Sequence, residues 1–147
     1  MIKKILVTGG SGFIGSAITK YLVSCGHKVV VFDNNSRGRI RRLKNIKNKI
    51  NSYKGDIRDF KKLNSIPGKF DCVIHLAYVN GTKHFYKKPF EILDIAVGGL
   101  LNILKFCKSK KVDSFYLASS SEVYQNPNKY PTDEKEMLKI PDIHNPR

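Results

Sequence analysis

The sequence predicts an α/β fold: a doubly wound parallel sheet in three layers, αβα, that runs through about five strands. Two observations carry this. Short apolar, β-branched runs alternate along the chain with segments of helical spacing. The first run also leads into a glycine-punctuated turn and then a helix, in the stretch VTGGSGFIGSAITKYL, Val7 to Leu22.

The elements follow in order. KKILVTG is a buried strand. From Phe13, apolar residues at Ile14, Ala17, Ile18, Tyr21 and Leu22 recur at helical spacing, and Gly26 stops that helix. KVVVFD, Lys28 to Asp33, is a second strand, and Arg39 to Asn48 suits a short basic helix. Ile50 to Asp56 is a weaker strand. Asp59 can cap a helix through Ile66, which Pro67 and Gly68 end. DCVIHLA, Asp71 to Ala77, is a fourth strand. Pro89 to Lys110 reads as one long helix, with Phe90, Leu93, Val97, Leu100, Leu101 and Leu104 as its apolar face. DSFYLASSS, Asp113 to Ser121, is the fifth strand. Its Tyr116 reads as core, the alternation of Phe115 and Leu117 needs no function, and His75 reads as a packed, hydrogen-bonded strand-end residue. From Gln125 to Arg147 the chain carries four prolines and no period, so a loop is expected there.

Within the first turn, Gly9, Gly12 and Gly15 are three residues apart. Gly9 would permit the tight turn, Gly12 would keep side chains away from a pyrophosphate, and Gly15 would let helix and strand pack closely. Free N–H groups at the helix start favour a phosphate's negative charge. The second strand ends in Asp33, where a carboxylate accepting from an adenosine ribose belongs. Together these make the fold Rossmann-like and NAD the expected cofactor. Asp33 would repel a 2′-phosphate, although Arg37, Arg39, Arg41 or Arg42 could pair with one. The bland alternative is glycines that tighten a corner and an aspartate that caps a loop.

The chain has 147 residues, 41% of them hydrophobic, enough for one domain with a real core. Lys and Arg outnumber Asp and Glu 27 to 12, a formal net charge of +15. The lysines are dispersed, and only Ser36 to Lys49 is dense, without the interleaved aromatics that stack on bases. No nucleic-acid partner is expected. Cys25, Cys72 and Cys107 form no CxxC pair, so neither a metal site nor a disulfide framework is expected. The apolar run near the start breaks at Gly9 and Gly10, too early for a signal peptide, and no run is long enough to span a membrane. A cytoplasmic setting with no membrane partner is the default expectation.

The Gly9-x-x-Gly12-x-x-Gly15 spacing resembles the extended short-chain dehydrogenase/reductase superfamily, within it the NAD-dependent epimerase/dehydratase family. Matches continue in order along the chain. DNNSRG resembles the ribose-binding loop, GDIRD the adenine-contacting segment, HLA the fourth-strand end beside the cofactor, and ASSSEVY the fifth-strand end at the active site. The resemblance implies cofactor contacts from Gly9, Gly12, Phe13, Ile14, Gly15, Asp33, Asn34, Ser36, Arg37, Asp56, Ile57, Leu76, Ala77, Tyr78 and Ser119. It implies that Ser120 bonds the sugar oxygen being oxidised, with Ser121 and Glu122 beside it as further catalytic groups. Taken alone, SSSE would read as hydroxyls capping a strand end. Nucleotide sugars are the implied substrates, and a homodimer the implied full-length form. Tyr78, Ala96 and Gln125 depart from the family's usual residues and leave the subfamily open.

The resemblance also implies a catalytic Tyr-x-x-x-Lys pair. None of the seven tyrosines has lysine four residues on. PTDEKEMLKIPDIHNPR resembles the segment that leads to that helix. The expected organisation is an incomplete NAD-binding domain over residues 1–124 and a loop or tail over 125–147, leading toward a catalytic helix and a substrate domain. The alternative is a free-standing dinucleotide-binding module without catalysis.

Overall fold

KILVT and KVVVFD are too apolar to leave either sheet face in water, so both faces must be covered. In the computed structural model, which describes residues 1–142 and 144, they are. The strands are β1 (Lys4–Thr8), β2 (Lys28–Asp33), β3 (Ile50–Lys54), β4 (Cys72–His75) and β5 (Ser114–Leu117). They pair in the order β3-β2-β1-β4-β5, every neighbour parallel. Val7 of β1 sits opposite Val31 of β2 and Ile74 of β4. The order reverses beside β1, and in open α/β sheets ligands bind outside the carboxyl ends of the strands at that point.

Alternation divides the core in two. Ile5, Val7, Val29 and Val31 point to one face, with Leu43 of a 3-10 stretch over Ile40–Lys49 and with Leu22 and Val23 of helix α1 (Phe13–Ser24). Leu6, Val30, Phe32 and Val73 point to the other. There they meet Leu63 of helix α2 (Phe60–Asn64) and Ile103 and Phe106 of helix α5 (Gly99–Lys110). Asp59 caps α2 by accepting from Lys62 N at 2.9 Å, an interaction worth about 1 kcal/mol.

Several expectations are corrected. The single helix over Pro89–Lys110 is three pieces: helix α4 (Pro89–Leu93), a π-helical turn over Asp94–Gly98, and α5. A further short helix, α3 (Thr82–Lys87), precedes them. The buried face carries Ile92, Ile95, Ile103 and Phe106, whereas Phe90, Leu93, Val97, Leu101 and Leu104 are exposed. Two apolar stripes share one period along this segment, and periodicity cannot say which one meets the sheet. In the same way α1 packs through Gly15, Ser16 and Thr19, leaving Ile14 and Tyr21 outside. The basic segment is a 3-10 stretch rather than an α-helix. The fifth strand stops at Leu117, and Tyr116 is 62% exposed rather than core. β5 is the edge strand. Phe115, on the other face, does pack against the core. Beyond Gln125 the described residues form no helix or strand; Ile143 and residues 145–147 of that tail lie outside the described residues.

Among the described residues, no helix is long and apolar enough to cross a membrane.

Candidate functional site

The carboxyl ends of β1, β2 and β4 open on one cleft. β1 stops at Thr8, and Gly9 turns the chain with φ +70°, a conformation that resists side chains. Gly9 N donates to Phe32 O at 2.9 Å, tying the turn to β2. A Cβ on Gly15 would lie 2.1 Å from Gly9 O, so only glycine lets α1 start this close to the strand. Gly12 stands at the N-cap of α1 with no capping side chain. A helix leaves its first N–H groups without intrahelical partners, and at α1 these directly follow Gly12, which lines the cleft.

Asp33 is buried at the end of β2. Its Oδ2 accepts from Ser11 N at 2.9 Å and its Oδ1 from Asn35 N at 2.8 Å. The carboxylate therefore joins the glycine turn to the loop after β2. Asn35 holds that loop with φ 60°, and Ser11 Oγ donates to Asn35 Oδ1 at 2.8 Å. The arginines divide their work. Arg39 N and Arg42 Nη1 both donate to Ser11 O, while Arg37 lines the cleft.

After β3, Asp56 is gripped by Arg58. Arg58 Nε donates to Oδ1 at 3.0 Å, Nη2 to Oδ2 at 2.9 Å, and the Arg58 N–H to Oδ1 at 2.9 Å. Asn34 Nδ2 adds a bond to Oδ2 at 3.2 Å. The Arg58 guanidinium pulls the Asp56 carboxyl down to about 2. Its remaining donor, Nη1, reaches Asp94 Oδ2 on the π-helical turn at 3.0 Å. Asn102 Nδ2 donates to the carbonyls of Ile57 and Arg58, so α5 holds this loop as well.

At the end of β4, Thr8 Oγ1 lies 2.6 Å from His75 Nδ1 and faces the N–H groups of Leu76 and Ala77 at 3.2 and 3.3 Å. Those two N–H groups take the hydroxyl's lone pairs, so its proton goes to Nδ1. Burial pulls the imidazole down to about 4. His75 is therefore a neutral, packed side chain that helps shape the strand end. Among the described residues, no cluster of three or more His, Cys, Asp or Glu side chains could hold a metal ion.

A family model described as NAD dependent epimerase/dehydratase family matches residues 5–147. The chain belongs to this family. A UDP-glucose 4-epimerase of Neisseria meningitidis serogroup B is 37% identical over 139 residues, covering 90% of the chain and 41% of that relative. A UDP-N-acetyl-alpha-D-glucosaminuronate decarboxylase of Bacillus cytotoxicus is 36% identical over 125 residues, with 84% and 38% covered. The crystal structure of UDP-glucose 4-epimerase from Bifidobacterium longum in complex with NAD+ and UDP superposes with a TM-score of 0.86. It is 30% identical to this chain, with 92% of this chain and 42% of that one covered. The chain thus spans about 41% of the length of the first of these relatives.

In this epimerase/dehydratase chain, the cleft gathers most residues that the sequence singled out. Gly9, Gly12, Asp33, Asn34, Ser36, Arg37, Asp56, Ile57, Leu76, Ala77 and Tyr78 all line it. Gly15 lies beneath the turn. Phe13 and Ile14 are exposed and line a shallow groove with Ala17, Ile18 and Arg42. Ser119, Ser120, Ser121 and Glu122 stand beyond β5, exposed and outside the lining. Ser120 Oγ there accepts from Glu122 N at 3.2 Å, capping a 3-10 turn over Ser121–Tyr124. The sequence reading missed Phe32, Gly38, Gly55, Val79 and Ile95. Phe32, Gly38 and Gly55 each lie in a quoted motif, and Val79 follows Tyr78. Ile95 arrives through the π-helical turn, which leaves no mark in the sequence.

Proposed function

We propose that this chain is the NAD-binding part of a nucleotide-sugar epimerase or dehydratase. The observation that carries the reading is the Ser11–Asp33 hydrogen bond, which joins the glycine turn to the carboxylate at the end of β2 beside one cleft. The residues fit the cofactor: a Cβ at Gly15 would collide with Gly9 O, and a Cβ at Gly9 would lie 2.8 Å from Ala77 N. The N–H groups of Phe13, Ile14 and Gly15 would hold the pyrophosphate, and Asp33 with Asn34, Ser36 and Arg37 the adenosine ribose. Asp56 and Ile57 would face the adenine. Leu76, Ala77, Tyr78 and Ser119 would line the nicotinamide side. When bound, NAD supplies the hydride acceptor for oxidation of a sugar carbon and the donor for its return.

Ser120 would orient the sugar hydroxyl, with Ser121 and Glu122 in the later proton transfers. Residues 1–124 make up the binding domain in this reading, and 125–147 connect onward. A cytoplasmic homodimer belongs to the same proposal. These 147 residues contain no Tyr-x-x-x-Lys pair. Loss of a general base costs about 10²–10⁴-fold in rate, so they are expected not to turn over a nucleotide sugar by themselves. The test incubates the protein with NAD and UDP-, GDP-, CDP- and dTDP-sugars, following NADH absorbance and product chromatography. NAD binding without turnover by these residues, and turnover when a Tyr-x-x-x-Lys-bearing continuation is joined to them, support the proposal. NAD binding that never yields turnover, even then, favours a binding module.

A further inference from the structure

Asp56 lines the cleft, yet no solvent molecule or ligand is needed to fill its lone pairs. A carboxylate offers about four acceptor positions. Arg58 takes three of them with its N–H, Nε and Nη2, at 2.9, 3.0 and 2.9 Å. The fourth, on Oδ2, goes to Asn34 Nδ2 at 3.2 Å, the longest of the set. The Arg58 fork is itself braced. Nη1 is tied to Asp94 on the π-helical turn, and the Arg58 carbonyl accepts from Asn102 at 2.8 Å. A planar guanidinium in a two-point grip fixes the plane of the carboxylate as well as its charge.

Resting on the NAD reading above, we propose that Arg58 is a positioning residue that makes the adenine end of the cleft selective for a 6-amino purine. Held by Arg58, Asp56 lines the cleft as an acceptor only, and Oδ2, with a single Arg58 donor, is its less occupied oxygen. An incoming base must replace Asn34 Nδ2 on Oδ2. A 6-amino group donates and can do so. A 6-oxo group brings a lone pair against a carboxylate and cannot. Asn34 loses little on release, because its Oδ1 still accepts from Ser36 N at 2.9 Å.

The test is calorimetric titration of the protein with NAD and with its 6-oxo analogue, nicotinamide hypoxanthine dinucleotide. Hydrogen bonds to charged groups set the expected preference for NAD at about tenfold to a hundredfold. Arg58→Met is expected to bring the two affinities within about threefold of each other, chiefly by weakening NAD. Asp94→Ala removes an exposed anchor without touching the core and is expected to lower the ratio by less. Circular dichroism establishes that both variants fold. Equal weakening of both dinucleotides, with the ratio kept in both variants, would show that Arg58 only stabilises the loop and overturns the proposal. A wild-type protein that binds both analogues equally also overturns it, while leaving NAD binding intact. A wild-type protein that binds neither overturns the NAD reading as well.

Discussion

Thr8 Oγ1 and His75 Nδ1 meet at 2.6 Å, buried across the β1–β4 pair. One hydroxyl thereby serves three groups: it donates to the imidazole and faces the N–H groups of Leu76 and Ala77, which form the cleft's β4 wall. Replacing it with an isosteric methyl would leave His75 Nδ1 and Ala77 N without that partner, while Leu76 N keeps the Thr8 carbonyl at 3.2 Å. Thr8→Val is expected to destabilise the protein by about 2–3 kcal/mol, since an unsatisfied buried polar group costs about 1–3 kcal/mol. Urea denaturation of the two proteins measures this, and an unchanged midpoint would contradict it.

The same pair sets a pH dependence. His75 in the fold titrates at about 4, below its ordinary 6.5, because burial disfavours the imidazolium. The unfolded chain therefore takes up this proton first as pH falls. Its contribution to stability is complete above the unfolded value, drains away between about 6.5 and about 4, and changes no further below that. Asp56, held down to about 2 chiefly by its Arg58 hydrogen bond, acts lower, between its ordinary 3.8 and about 2. The melting temperature is expected to drop from pH 7 to pH 4.5 in the native protein and to drop less in His75→Gln. Parallel profiles in the two proteins would show that another group is responsible.

Gly15 makes the steric argument testable. A Cβ there would lie 2.1 Å from Gly9 O and 2.9 Å from Gly10 Cα, both backbone atoms with nowhere to go. Gly15→Ala must push α1 off the turn, at a cost of about 1–3 kcal/mol for overpacking. It should also spread the helix-start N–H groups, so NAD affinity is expected to fall with stability. Gly26→Ala, where a Cβ meets nothing within 4 Å, is the matched control for the turn's crowding, although its positive φ carries its own modest strain. An alanine at position 15 that leaves both melting and NAD binding intact would contradict the close-packing account.

What was legible in the sequence is what local chemistry dictates. Val29 to Phe32 reads as a buried strand, and Gly9 and Gly15 declare their turn because a side chain at either would run into backbone. Asp33 follows from its place at a strand end. What was not legible depends on a choice between equivalents. Leu93, Val97 and Leu101 share their period with Ile92, Ile95 and Ile103, and only the sheet decides between the two stripes. The π-helical turn that carries Asp94 to Arg58 and Ile95 to the cleft has no residue signature of its own. Tyr116 alternates correctly for a strand, but β5 lies at the edge, where alternation no longer means burial.

The reading of this chain as a dinucleotide carrier rests on Asp33 beside the glycine turn, and a titration of NAD and NADP into the native protein and Asp33→Ala tests it most directly. NAD is expected to bind, and NADP at least about tenfold more weakly, because a 2′-phosphate meets the carboxylate. Asp33→Ala is expected to weaken NAD by about tenfold or more, the worth of hydrogen bonds to a charged group, and to narrow the preference. No NAD binding, or equal affinity for both cofactors that Asp33→Ala leaves untouched, would contradict it.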